Sequence, residues 1–332
     1  MERREFIVGI GGTAIAWPIA ARAQQAAKPP RIGVLHPALE EGALKSPGWL
    51  ALEQSLRDEG YVGGKSCSFE HRFSPDIARM PALAAELVAI PVDVIVVRGP
   101  SPMQAARAAT TKIPIVMAAA SVDPVGEGLI ASYARPGGNI TGVTYSVSSE
   151  RFEKQLEILR EAAGPISRVA VLLDTSIEVY RRGWASALER AAAHLNLALA
   201  GPFVVQDVDE LESRFALMAR DKADAVLAST AGIIATSQAR VAELGIRHRL
   251  PVMGAFKELP RAGALVSYGP DIAAISRRVG NFVARMLRGA NPAELPVENP
   301  DTYDLVINLK TAKALGLSIP PGLLIRANEV IE

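Results

Sequence analysis

Cys67 is the only cysteine in 332 residues, which excludes an intrachain disulfide and any metal site built from several thiolates. A lone thiol in such a chain reads as a small apolar packing residue rather than a nucleophile. Excess charge is missing too: 36 basic and 35 acidic residues leave a formal charge of +1, so nothing marks a nucleic acid or an anionic membrane as a partner. No run approaches the roughly 20 apolar residues that a spanning helix needs. Enzyme motifs are lacking as well, with no Gly-x-Ser-x-Gly elbow and no His-Glu-x-x-His. The stretch from Gly60 to Ser66 imitates a phosphate loop, but Glu59 stands where the first glycine belongs. It also runs from a helix into a strand, the reverse of the order phosphate binding requires. Gly9, Gly11 and Gly12 follow no strand, so they form no dinucleotide fingerprint. The histidines His36, His71, His194 and His248 are scattered, and no cofactor is expected.

What is present begins with Arg3-Arg4-Glu5-Phe6, a mild apolar run over 8–16, and Ala21-Arg22-Ala23. A charged start, a short apolar stretch and a small-residue cleavage site form an export signal over residues 1–23. The paired arginines beside Phe6 resemble the twin-arginine signal, whose cargo crosses the membrane folded. Its removal takes away three basic residues (Arg3, Arg4, Arg22) and two acidic ones (Glu2, Glu5), so the mature chain is charge-balanced. A periplasmic protein without membrane insertion is expected, with residues 24–30 as a lead-in.

The remainder repeats one plan. Strands are expected at 31–35, 68–73, 92–97 and 113–117, with helices carrying Trp49, Leu52 and Leu56, then over 81–90 and 103–110. The second half offers strands at 168–173, 202–205, 224–228 and 250–253, with helices around Trp184, Leu188 and Ala191, over 208–220 and over 236–244. Each half opens on Arg-(Ile/Val)-x-Val-Leu, carries a Trp in its first helix and ends on Pro-(Ile/Val)-Val-Met. Strands alternating with amphipathic helices imply right-handed crossovers, hence an α/β protein of two doubly wound parallel-sheet lobes.

Ligands of open α/β sheets bind beyond the carboxyl ends of the strands. Six loops lie there: His36-Pro37, Gly99-Pro100-Ser101, Ala119-Ala120-Ser121, Asp174-Thr175-Ser176, Ser229-Thr230-Ala231 and Gly254-Ala255-Phe256. Their small and hydroxyl residues also suit plain helix capping. As a set they offer neutral donors for a carboxylate without the desolvation cost of a buried arginine. Asp174 would accept an ammonium group.

Three further stretches carry a resemblance. They are Ala134-Arg-Pro-Gly-Gly-Asn139-Ile-Thr-Gly-Val143, Ser267-Tyr-Gly-Pro-Asp271, and Asp304 through Gly316 with Ala327-Asn-Glu-Val-Ile-Glu332. With them the chain resembles the ABC transporter substrate-binding proteins of the tryptophan/tyrosine type, over essentially the whole mature sequence. The resemblance implies a type I periplasmic binding fold with several crossovers: a first lobe of 31–144 and 268–295, and a second of 145–267 and 296–332. It implies capture of a small solute for a membrane permease, with no catalysis. It points to Gly99, Pro100, Ser101, Ala120, Ser121, Tyr145, Asp174, Thr175, Ser229, Thr230 and Tyr268 as ligand-binding, the tyrosines covering an apolar portion of an amino-acid-like solute. Phe256-Lys257 departs from the more aromatic, acidic stretch of that pattern. A ligand-sensing protein that presents its closed state to a membrane receptor is the alternative. An enzyme such as a racemase lacks paired acid and base candidates.

Export carries its own test. N-terminal sequencing of the exported protein should begin at Gln24, and Arg3→Lys with Arg4→Lys should hold the chain in the cytoplasm. Undiminished export of the double variant rules out the twin-arginine route.

Overall fold

Unbroken aliphatic runs, as in Val94-Ile-Val-Val97, suit strands covered on both faces, because a parallel sheet leaves neither face to water. The computed structural model describes residues 28–120, 123–145, 148–174, 184–229, 232–300 and 302–332, so the segment expected to direct export lies outside the described residues. Five strands, β1 (Arg31–His36), β2 (Ser68–Phe73), β3 (Val94–Arg98), β4 (Ile115–Ala120) and β5 (Ile140–Thr144), form one parallel sheet in the order β2-β1-β3-β4-β5. Seven more, β6 (Arg168–Leu173), β7 (Ala198–Val204), β8 (Ala225–Ala228), β9 (Val252–Gly254), β10 (Val266–Pro270), β11 (Tyr303–Asn308) and β12 (Glu329–Ile331), form the second in the order β12-β11-β10-β9-β8-β6-β7. β11 runs antiparallel to β10, a departure from the all-parallel expectation. It enters from the other lobe, with no β-α-β crossover to impose parallel pairing.

Helices flank both sheets. The first lobe has α1 (Glu40–Leu44), α2 (Pro47–Asp58), α3 (Met80–Ala89) and α4 (Pro100–Ala109). The second has α5 (Ser149–Ala163), α6 (Ala185–His194), α7 (Glu210–Arg220), α8 (Gly232–Thr236), α9 (Gln238–Arg247) and α10 (Glu258–Arg261). Beyond β10 come α11 (Ile272–Leu287), α12 (Leu309–Leu315) and α13 (Pro321–Arg326). Each sheet is sandwiched by two apolar clusters, one per face. Cys67 is buried in the cluster beneath α2 and α11. Among the described residues no helix is long and apolar enough to cross a membrane.

The chain passes between the lobes at three places: after β5, after β10 and before β11. The second crossing lies beyond Pro270 rather than at 268, because β10 stays paired with β11 through Pro270. The third lies beyond Glu298 rather than 295, since the amides of Val297 and Glu298 still bond the carbonyls of Tyr133 and Gly142. After the second crossing α11 turns back onto α2, capped by Asp271, whose carboxylate accepts from the Ala273 and Ala274 amides. Gly280 permits the close approach: a Cβ there would meet Ser55 Cβ at 2.6 Å. The Ser55 hydroxyl donates to the Arg277 carbonyl at 2.8 Å across the same contact.

Gly280→Val should therefore overpack the α2–α11 seam and cost about 1–3 kcal/mol in equilibrium denaturation. An unchanged midpoint would show that the two helices separate without penalty.

Candidate ligand-binding site

Parallel strands all end on one edge of their sheet, and each lobe has a hollow there. The second-lobe hollow lies at the ends of β6, β8 and β9, lined by Leu173, Ala228, Ser229 and Ala255, with α5 and α6 supplying Arg151, Phe152, Gln155, Trp184 and Leu188. Tyr145, just after β5 of the other sheet, also lines it, and its ring meets Phe256 edge-on at 6.2 Å. Three buried polar atoms in this hollow have no hydrogen-bond partner among the described residues: Arg151 Nε, Trp184 Nε1 and Ser229 Oγ. Gln155 is satisfied, donating to the Tyr268 carbonyl at 2.7 Å.

Arg151 is 8% exposed and has no ion pair among the described residues. Its guanidinium lies 4.7 Å from the Phe152 ring centroid and 5.2 Å from that of Tyr145. Burial pushes it below the ordinary arginine range, while the Tyr145 and Tyr303 phenols pull the other way. Its location in the first turn of α5 opposes the helix dipole, which favours negative charge there. Aromatic faces offset part of that cost.

The first-lobe hollow lies at the ends of β1, β3 and β4 and is lined by His36, Arg98 and Ala118, with Ser46, Gly48 and Trp49 of the α2 entry and Ser276 of α11. Arg98 ends β3, and burial lowers its affinity for the proton. Tyr145 and Glu258 act on it only through space. It has no hydrogen bond or ion pair among the described residues. Nη1 lies against the α2 backbone, since a Cβ on Gly48 would meet it at 2.9 Å. His36, edge-on to Phe73 at 5.7 Å, has a buried Nδ1 without a partner. Burial, and then the Arg98 charge, push its pKa down to about 3.

Of the residues expected at the site, Tyr145 and Ser229 line the second-lobe hollow and are 6% and 4% exposed. Gly99, Pro100 and Ser101 form the entry to α4, with Gly99 at φ +83, and line neither hollow. Ala120 ends β4 opposite Thr144. Asp174 is buried at the end of β6 with its carboxylate against Gly232, and it also lines neither hollow. Tyr268 lies in β10, its ring stacked on Tyr303 at 5.5 Å. Ser121, Thr175 and Thr230 fall outside the described residues. Lys257 bonds Asp304 of β11 at 2.9 Å and faces Asp271, the cap of α11, at 3.6 Å, so its charge lies between that strand and the second crossing.

Beside the neutral donors expected from the sequence, the described residues contribute two guanidinium groups. Each hollow carries a guanidinium, and no acidic side chain among the described residues lines either one. Both arginines had a sequence signal. Arg98 is a charge at the carboxyl end of a buried strand, and Arg151 shares the apolar stripe of α5 with Gln155, Ile158 and Ala162.

Two doubly wound lobes joined by three crossings, with donor-lined hollows at their strand ends and no cluster of metal-ligating residues among those described, define a two-lobed solute-binding protein of the type I fold. Residues 34–331 match the family of ABC transporter substrate binding proteins, and the chain belongs to that family. This makes it a binding protein rather than an enzyme, in an extracytoplasmic class. It is 26% identical over 285 residues, 86% of this chain and 79% of the relative, to a tyrosine-binding protein of Clostridioides difficile (strain R20291). Among solved structures, a conserved domain protein of Vibrio cholerae O1 biovar El Tor superposes with a TM-score of 0.81 at 26% identity, over 91% of this chain and all of that one. The ABC domain of Streptococcus pneumoniae in complex with L-Trp superposes with a TM-score of 0.80, again at 26% identity, over 91% and 99% of the two chains.

The buried neutral imidazole yields a pH test. His36 has a folded pKa of about 3 against an unfolded value of 6.5, so the unfolded chain binds the extra proton between those limits. Its contribution is present above the unfolded pKa and is lost as pH falls through that window, by at most about 1.4 kcal/mol per unit. His36→Gln should flatten the acid limb of stability against pH. An unaltered limb would place the imidazole in water.

Proposed function

We propose that this protein is the solute-binding component of an ABC uptake transporter, exported folded by the twin-arginine route. It captures a small carboxylate-bearing, amino-acid-like solute between its lobes and hands it to a membrane permease. One observation carries the ligand chemistry: Arg151 Nε, Trp184 Nε1 and Ser229 Oγ are buried, unpartnered and gathered in one hollow. An unpaired buried donor costs about 1–3 kcal/mol, more when charged, so three together fit a site whose partner arrives from outside. Two of the three donate only, and the hydroxyl also donates, which selects an acceptor such as a carboxylate. Tyr145 and Phe152 wall the hollow with aromatic surface for an apolar portion of the solute. The tyrosine-binding relative and the L-Trp complex support a ligand of amino-acid type.

Native mass spectrometry of the mature protein should reveal a small carboxylate that co-purifies. In calorimetry, Arg151→Met should weaken its binding roughly ten- to a hundredfold, the worth of a charge-assisted hydrogen bond. The empty variant should melt no lower than the parent, because the substitution deletes an uncompensated buried charge. Undiminished affinity in Arg151→Met and Ser229→Ala would remove this hollow from the site. A solute without a carboxylate would overturn the ligand chemistry.

A further inference from the structure

We infer that the solute carries a second carboxylate, seated in the first-lobe hollow on Arg98, so that its two anionic ends are held by one arginine from each lobe. The inference rests on the carboxylate reading of the second-lobe hollow and names the solute class more narrowly. Arg98 has no hydrogen bond or ion pair among the described residues, and its guanidinium stands in a hollow lined by no acidic group. Glu258 acts on it through space without lining the hollow. Nη1 abuts Gly48, in the first turn of α2, and the same point lies 3.1 Å from Ser276 Oγ and from Ile272 of the opening turns of α11. Asp271 caps α11 and is shared with Lys257, whereas Ser46 caps α2 with a neutral hydroxyl. A half-buried guanidinium beside a helix N-terminus without a capping carboxylate adds to local positive potential, which favours an incoming anion. His36 adds a buried unpartnered Nδ1 beside it.

Tyr145 links the two hollows. It packs in the first-lobe core, lines the second-lobe hollow, and its phenol acts through space on both Arg98 and Arg151. An amino acid with a neutral side chain would match one guanidinium and leave the other uncompensated. Two carboxylates at the ends of a short body match both. That chemistry has two sources, an α,ω-dicarboxylic acid or an acidic amino acid.

The mature full-length protein should be titrated calorimetrically with dicarboxylates from succinate to suberate, with L-glutamate and L-2-aminoadipate, and with L-tyrosine and L-tryptophan. At least one two-carboxylate compound should bind at least roughly tenfold more tightly than either aromatic amino acid. Arg98→Met should reduce its affinity roughly ten- to a hundredfold while the empty protein melts no lower. Gly48→Ala, which drives a methyl group into Nη1, should weaken the same compound without unfolding the protein. The amine-bearing and amine-free arms distinguish the two sources. Tight binding of tyrosine or tryptophan that Arg151→Met abolishes and Arg98→Met leaves intact overturns the second carboxylate and keeps the first. Binding of no compound in the panel by a protein with a cooperative melting curve overturns both readings.

Discussion

α11 leaves the second sheet at Pro270 and buries Ile275, Val279, Phe282, Val283 and Met286 in the first-lobe cluster that also holds Leu52 and Leu56 of α2. Each large aliphatic or aromatic side chain so buried is worth about 1.5–3 kcal/mol, so this seam is a major share of what holds the first lobe together. It also fixes the connectivity. A chain whose late helix completes the early lobe must cross over and come back, and β11 can then join the second sheet only by returning. The antiparallel β10–β11 pair follows from that return. The same seam brings Ser276 and Ile272 beside Gly48 and Arg98, so the packing that completes the lobe also completes the wall of its hollow.

Stability and recognition pull in opposite directions at the strand ends. Arg151, Trp184 and Ser229 leave polar atoms buried without partners, a condition that an average core avoids. The aliphatic interior on both faces of each sheet is large enough to carry these penalties. A binding protein uses that surplus well, because an interaction left unmade in the empty state becomes differential affinity for the loaded one. The lowered proton affinity of both arginines and the neutral state of His36 share one leading cause, burial by the surrounding side chains, to which the Arg98 charge adds at His36.

The fold was largely legible because its signals are local and redundant. Val94-Ile-Val-Val97 and Val169-Ala-Val-Leu-Leu173 are too continuous for half-exposed strands, and the repeated Arg, Trp and Pro markers align the halves. Strand ends moved by a few residues, as in β7, which starts at Ala198 where 202 was expected, since neighbouring strands and not propensity decide where pairing stops. The site was less legible. Hydroxyls before helices are conspicuous in sequence, yet Ser101 lies at a helix entry and only Ser229 of that set, among the described residues, reaches a hollow. Arg98 and Arg151 were passed over because burial of an unpaired charge is disfavoured on general grounds. A site that waits for a ligand is where that rule gives way. Asp174, expected to meet an ammonium, has its carboxylate beside Gly232 and lines neither hollow.

Lys257 holds Asp304 at 2.9 Å and Asp271 at 3.6 Å; the first carboxylate lies in β11 of the second sheet and the second caps α11 where the chain leaves that sheet. The ammonium is a shared pin. It ties the point where α11 departs to the sheet that the chain has just left, so the start of that crossing cannot shift relative to β11 without lengthening one of the two contacts.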